Sequence, residues 1–213
     1  MTKRVVERML TAIIHGILLA FGLILPLGAQ NVFVFNQGAS QPKFRGAIPV
    51  IVTAACCDSL LILLAVLGVS VVVFTIPVLQ TAIFVVGFAF LLYMGWSIWK
   101  SKPARLDKRE AALSPKKQIM FAMSVSLLNP HAILDTIGVI GTSSLGYAGA
   151  DKLMFTVATM AVSWIWFFAL AFAGRMVGAV DTGGRILNVI NKLSALVIWG
   201  VAVYIALKLF KLV

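Results

Sequence analysis

The chain has 213 residues, of which 61% are hydrophobic and 12% are charged, and its net charge is +11. Soluble domains carry about a quarter charged residues, so this composition excludes an ordinary soluble domain and indicates an integral membrane protein. The apolar runs are long and continuous rather than alternating as in barrel strands, which predicts an all-α membrane protein. The basic residues lie mostly at helix ends and in loops, where they orient the protein and meet anionic lipid. Nucleic acid is therefore not expected as a partner, whereas membrane lipid is.

Six apolar segments are predicted as transmembrane helices, and most are long enough to cross a bilayer core of about 30 Å. They cover residues 10–35, 47–73, 78–99, 119–141, 153–174 and 186–207. The second and third are separated only by Thr75-Ile76-Pro77, and without that turn the chain would have five spans. Leu27-Gly28-Ala29 resembles a signal-peptidase site. The apolar run resumes directly after it, so we expect the first helix to be retained.

The segment 100–117 is the extended polar stretch of the chain, with seven basic residues against Asp107 and Glu110. The positive-inside rule predicts that this linker is cytoplasmic, which places both termini outside. The linker also divides the chain into two halves, residues 1–99 and 118–213, with three segments each. Because three is odd, two such repeats would have opposite orientations in the membrane, an arrangement typical of secondary transporters.

The first segment of each half contains a proline with polar neighbours. The two stretches are Leu25-Pro26-Leu27-Gly28-Ala29-Gln30-Asn31 and Asn129-Pro130-His131-Ala132-Ile133-Leu134-Asp135. Proline breaks or kinks a helix, and Gly28 allows a close approach of backbone or ligand. The ends of broken membrane helices bind charged substrate groups. A single proline would favour a plain kink, but the matched pair of Pro26 and Pro130 predicts broken first and fourth helices around a substrate site.

Asp58 and Asp135 are the two acidic residues within the apolar segments. An aspartate at a helix centre costs about 2.5–3.5 kcal/mol on insertion scales, so each must be paired, protonated or in contact with an aqueous cavity. No Lys or Arg lies at comparable depth in the sequence, which suggests that the substrate supplies the cation. Alternatively, a protonated aspartate could form a hydrogen bond between helices.

Other polar residues of these segments are candidates for the same site. Gln30, Asn31 and Asn129 are predicted to bind the α-amino and α-carboxylate groups of an amino acid. His131 lies four residues before Asp135 and could relay protons or form a hydrogen bond between helices. The tryptophans and phenylalanines at 164 and 166–168 could form a cation–π wall, although ordinary packing or an interfacial position explains them better.

These motifs, together with the chain length, the span pattern and the basic linker, resemble the LysE-type amino-acid exporters. The resemblance implies a bacterial inner-membrane protein that exports amino acids by secondary transport, without a cofactor and without enzyme activity. Asp135 after the Asn-Pro pair resembles the lysine and arginine exporters, whereas the branch for neutral amino acids usually has an apolar residue there. The family often has proline where this chain has Ala29. The coupling ion could be a proton or sodium.

Other functions are less consistent with the sequence. Cys56, Cys57 and Asp58 could bind a soft metal, which would make the chain a metal-cation exporter, but adjacent helical residues point about 100° apart and chelate poorly. His131 and Asp135 could hold a metal for hydrolysis, but no His-Glu-x-x-His motif supports an enzyme, and no phosphate-binding loop indicates ATP hydrolysis. Small residues could support a homodimer, although no Gly-x-x-x-Gly pair falls within a predicted span.

Overall fold

The computed structural model describes residues 3–25, 28–68, 76–100, 112–129, 132–133, 136–181 and 185–212. Within these ranges the chain is helical and contains no β-strand. Four predicted site residues lie outside the described residues: Pro26, Pro130, His131 and Asp135. Most of the basic linker lies outside them as well.

Seven helices of more than ten residues follow one another in these ranges. They are α1 (Lys3–Ile24), α2 (Ala29–Ser40), α3 (Ile48–Val66), α4 (Pro77–Lys100), α5 (Pro115–Leu127), α6 (Gly149–Val180) and α7 (Arg185–Leu212). A 3-10 turn, Phe44–Ala47, leads into α3, and a π-helix, Thr136–Gly141, precedes one α-helical turn at Thr142–Ser144. Among the described residues, α1, α6 and the continuous segment Phe44–Val66 are long and apolar enough to cross a membrane. The helical fold class is confirmed, whereas the arrangement as six spans in two repeats stays a prediction.

The helix bounds differ from the predicted segments in informative ways. The predicted first segment, 10–35, is two helices, because α1 ends at Ile24 and α2 begins at Ala29. The second ends at Val66 instead of residue 73, since Gly68 follows with a φ of 90°, a left-handed conformation that glycine adopts readily at helix ends. The fourth segment, 119–141, is divided as well: α5 ends at Leu127 and the π-helix begins at Thr136.

Helices α1 and α2 run along α6 in the same direction, one after the other. Gly16 of α1 packs against Phe155 and Ala158 near the start of α6, whereas Gly38 of α2 packs against the backbone of Ala171 further along. The two helices therefore lie along one side of a single long helix, with an interruption between them.

The backbones of α2 and α6 are in direct contact because α6 has glycines at the two contact positions. A Cβ added at Gly174 would overlap the carbonyl oxygen of Phe35, and one at Gly178 would lie 2.6 Å from that of Ala39. Gly174 and Gly178 form a Gly-x-x-x-Gly pair within one helix, since α6 extends to Val180. The prediction that no such pair lies within a span was therefore wrong. The pair packs helices within this chain, as small residues do in membrane proteins.

Contacts between loops identify the two ends of the bundle. The side-chain amide of Gln41 donates to the carbonyl of Leu113 at 3.0 Å, and that of Gln118 donates to Gly46 at 3.0 Å. Hence the loop after α2 and the residues before α5 lie at the same end, called the linker end below. The start of α1 lies at the opposite end, beside residues 146–151. Helices α1 and α2 thus run toward the linker end, whereas α5 runs away from it.

Helices α4 and α7 pack against each other and complete the bundle. Leu91 of α4 and Ile198 of α7 belong to one buried cluster with Ala29 and Val32 of α2. Near the linker end, the Lys192 ammonium lies 3.8 Å from the ring centroid of Trp99. Pairs of aromatic and basic side chains are typical of the membrane–water interface. Elsewhere large apolar side chains face outward, among them Leu18, Ile165 and Val203, and lipid would cover them.

Candidate functional site

The candidate site is centred on the start of α2, which lies inside the bundle. Gly28 precedes the helix in an extended conformation, with φ of −77° and ψ of 175°, and this N-cap residue makes no side-chain hydrogen bond to the helix. The first N–H groups of a helix have no intrahelical partner and carry a partial positive charge. Gln30 and Asn31 lie in this first turn, and both are buried. These two amides therefore lie beside an interruption between two helices, as predicted.

Asp58 of α3 lies next to this turn. The Gln30 side-chain amide donates to the Asp58 carboxylate at 3.1 Å, and the Ser163 hydroxyl of α6 forms a second hydrogen bond with it. The Asp58 side chain remains partly exposed. In the part of the chain that the structure describes, its hydrogen-bond partners are neutral and no cationic side chain pairs with it. The carboxylate is therefore oriented by two neutral donors.

Asn31 holds the interruption between α1 and α2 in place. Its side-chain amide donates to the carbonyl of Ile24 at 2.7 Å, which is one of the carbonyls that the end of α1 leaves without a helical partner. The indole of Trp166 in α6 donates to the Asn31 side-chain oxygen at 3.3 Å. Asn31 thus links the end of α1, the start of α2 and the long helix beside them.

Helix α6 provides more of the site than the sequence predicts. Besides Trp166, the indole of Trp164 donates to the Ser59 hydroxyl at 3.2 Å, on the residue next to Asp58. The two tryptophans pack against a buried cluster, as ordinary packing predicts, and their indole N–H groups also donate hydrogen bonds to the site. The cation–π wall stays a prediction. The contribution of Ser59 and Ser163 is missed in the sequence because a single serine in an apolar segment forms no pattern.

The end of α5 approaches the start of α2 from the other half of the chain. Val125 belongs to the same buried cluster as Ala29 and Val32. Asn129, one turn after Val125, is buried, and its carbonyl accepts the Ile133 N–H at 3.1 Å. The structure therefore brings Gln30, Asn31 and Asp58 together directly and places the stretch before Pro130 next to them.

The two cysteines next to Asp58 lie on different sides of α3. Cys56 is exposed and Cys57 is buried, so adjacent positions in α3 present the two thiols to different surroundings. Among the described residues, no group of three His, Cys, Asp or Glu side chains is arranged to hold a metal ion. The arrangement at Asp58 consists of a carboxylate, amides, hydroxyls and indoles, which can bind a polar organic cation.

Comparisons with known proteins assign this architecture to a family. The profile of the LysE type translocators matches residues 12–209. The Bacillus subtilis (strain 168) protein named Putative amino-acid transporter YisU is 56% identical over 94% of this chain and 91% of its own length. Two proteins named Arginine exporter protein ArgO are 35% and 31% identical, from Pectobacterium carotovorum (strain PC1) and Serratia proteamaculans (strain 568). Each alignment covers 93% of this chain and at least 97% of the relative. No solved structure matches the chain.

Proposed function

Because the chain belongs to the family of LysE type translocators, we propose that it exports the basic amino acids arginine and lysine from the cytoplasm. The family consists of transport proteins rather than enzymes, and with its apolar helices the chain is a multi-pass amino-acid exporter of the bacterial inner membrane. Two observations support a basic substrate. Several relatives are named arginine exporters, and Asp58 has no cationic partner among the described residues.

The environment of Asp58 is the main support for a cationic substrate. A carboxylate inside a membrane protein needs a counter-charge, a proton or water, and here its protein partners are the neutral groups of Gln30 and Ser163. A guanidinium or ammonium group would complete the ion pair with charge-assisted hydrogen bonds, and a guanidinium can bind a carboxylate through two parallel bonds. The site would therefore select the side chain of arginine or lysine by its charge.

The remaining groups of the amino acid would be bound beside the helix interruptions. The start of α2 attracts a carboxylate because its N–H groups and dipole are positive there. Gln30, Asn31 and Asn129 are proposed to hydrogen-bond the α-carboxylate and α-amino groups, while Pro26, Gly28 and Pro130 keep the two helices open at this level. Asp135 is proposed as the second carboxylate of the site.

We further propose that the export is coupled by competition between the substrate and a proton. A carboxylate that has bound a proton no longer pairs with a cation, so release of arginine outside and binding of a proton there would be linked steps. Asp58 and Asp135 would carry this proton, with His131 as a relay beside Asp135. Sodium is the alternative coupling ion, and dependence of the efflux on a pH or a sodium gradient distinguishes the two.

Efflux from proteoliposomes tests the proposal. The variants Asp58→Asn and Asp135→Asn should each reduce the efflux of labelled arginine and lysine by roughly 10- to 100-fold, since a hydrogen bond to a charged group contributes about 1.5–3 kcal/mol. Asp107→Asn, which removes a carboxylate from the linker, is the matched control and should retain the efflux rate. Unchanged efflux in the Asp58→Asn protein would contradict the assignment of this carboxylate.

Export of a neutral amino acid is the second candidate, because the YisU relative is 56% identical to this chain and its name specifies no amino acid. A panel of arginine, lysine, threonine and homoserine in the same vesicles separates the two. Efflux of the neutral substrates with no efflux of the basic ones would reject the basic-substrate proposal and leave the family assignment unaffected.

A further inference from the structure

A cavity lies at the end of the bundle opposite the linker end, between the start of α1 and the start of α6. Its volume is about 750 Å³, and its charged lining consists of Arg4, Glu7, Arg8 and Asp151. Tyr147 also lines it. The cavity is thus formed by two helices and the turn before α6, and it opens to the medium. It is called the vestibule below.

The charges of the vestibule are balanced but not paired. It contains two guanidinium groups and two carboxylates, and among the described residues no ion pair joins them. A basic amino acid carries two cationic groups and one carboxylate. The carboxylates of Glu7 and Asp151 match its α-ammonium and side-chain cation, and either arginine matches its carboxylate. The vestibule therefore has the charge pattern and the volume for one molecule of the substrate class proposed above.

An apolar layer separates the vestibule from Asp58. Tyr147 hydrogen-bonds with His15 at 2.8 Å and stacks on Phe155 with ring centroids 5.2 Å apart. Below this ring lies one buried cluster, whose members are Ala12, Ile62, Val66, Ile140 and Phe155. Since α3 rises about 1.5 Å per residue, Ile62 and Val66 lie roughly 6 and 12 Å beyond Asp58 along the helix. A substrate that leaves Asp58 in this direction must pass the layer before it reaches the vestibule.

We propose that the vestibule is a second, separate binding site for the exported amino acid, where Glu7 and Asp151 bind its cationic groups and Arg4 and Arg8 bind its carboxylate after it has passed the layer below Tyr147. This inference rests on the proposed export of basic amino acids. Three of its four charged residues are exposed and Asp151 is half-buried, so screening by water and salt weakens each contact. Weak binding suits an exit site, because the amino acid must dissociate from it.

Saturation-transfer NMR on the purified full-length protein detects such weak binding. In an Asp58→Asn background, arginine should still bind, with the vestibule as its site. Adding Glu7→Gln and Asp151→Asn should raise the remaining dissociation constant about tenfold, as expected from two exposed charge contacts of up to about 1 kcal/mol each. Lys3→Gln with Lys152→Gln is the matched control in the same background. These residues flank the vestibule without lining it, so the constant should stay within about twofold.

A second ligand tests the role of the two arginines. Agmatine is arginine without its carboxylate, so Arg4→Gln with Arg8→Gln should weaken the binding of arginine and leave that of agmatine unchanged or tighter. Gel filtration and thermal unfolding of each variant establish that it is folded.

The outcomes separate the two proposals. Equal arginine binding with and without Glu7 and Asp151 would overturn the vestibule site, and so would loss of all binding in the Asp58→Asn protein alone. Identical binding by the wild-type and Asp58→Asn proteins would instead overturn the role of Asp58 and leave the vestibule standing. No arginine binding to the wild-type protein would overturn both.

Discussion

The position of Asp58 in a membrane helix is predictable from the sequence, whereas its hydrogen-bond donors are not. The sequence alone indicates that a carboxylate in the middle of an apolar segment is functional or paired, because an unpaired charge is costly there. The sequence does not predict its hydrogen-bond donors, since Gln30 is 28 residues away in the chain and Ser163 lies on another helix. The sequence therefore predicts the position of the charge, and the contacts between helices provide the groups that orient it.

Asn31 is proposed to bind the substrate, and its amide also makes two hydrogen bonds at the helix break. Its nitrogen and oxygen are each used, by Ile24 and Trp166. These two hydrogen bonds fix the end of α1 against the start of α2. They therefore help to hold the N–H groups at the start of α2 in position for binding.

The bond between Trp166 and Asn31 leads to the first prediction at this scale. Trp166→Phe removes the indole N–H that donates to the Asn31 oxygen, and the loss of one such hydrogen bond costs about 0.5–1.5 kcal/mol. We expect the initial rate of arginine efflux from proteoliposomes to fall roughly 2- to 10-fold, as this cost raises the transport barrier.

Trp96→Phe is the matched control for this variant. Trp96 is 54% exposed and its contact is with Lys100, far along α4. The same chemical change there should leave the efflux rate unaltered. Equal rates in the two variants would show that the Trp166 hydrogen bond has no part in transport.

At the scale of elements, the structure corrects the ends of the predicted spans. The apolar segment 153–174 is only the central part of α6, which includes Asp151, Lys152 and Arg175. Charged side chains with long aliphatic stems can reach the membrane surface from within a helix, so a helix can continue beyond the apolar run that reveals it. This extension is what places Gly178 in the helix and lets α2 pack closely.

Glycine-to-alanine substitutions in α6 and in α7 should have opposite effects on stability, because only the glycine in α6 contacts another helix. Gly174→Ala places a methyl group against the Phe35 carbonyl, so we expect a loss of about 1–3 kcal/mol from overpacking. Gly200→Ala meets no atom within 4 Å in α7, and a better helix former there should add about 0.5–1 kcal/mol. Thermal unfolding of both proteins in detergent measures the difference. A Gly174→Ala protein as stable as Gly200→Ala would contradict the close contact of the two backbones.

The whole molecule has two distinct ends, which the contacts define without reference to a membrane. The loop after α2 lies with the residues before α5, and the vestibule lies at the other end. The positive-inside rule assigns the linker end to the cytoplasm, since the linker carries seven basic residues. The vestibule would then face outward, as an exit site must.

Thiol labelling tests this orientation. In a protein with Cys56→Ala and Cys57→Ala, Lys108→Cys in the linker should react with a membrane-impermeant thiol reagent only after the cells are permeabilised. Ala150→Cys, beside the vestibule, should react in intact cells. The reverse pattern would place the linker outside and would turn the vestibule into an entry site.

The physical reason for these differences lies in the range of the interactions. Composition and apolar runs determine a helical membrane protein, because lipid offers no partner for backbone groups and the helix satisfies them locally. The same local chemistry marks Asp58 and the prolines as exceptions. Contacts between distant segments determine the rest: the donors to Asp58, the close pairing of α2 with α6, and the vestibule formed by the starts of α1 and α6. Such contacts depend on which faces of the helices meet, and an apolar sequence with few polar landmarks leaves that choice to packing.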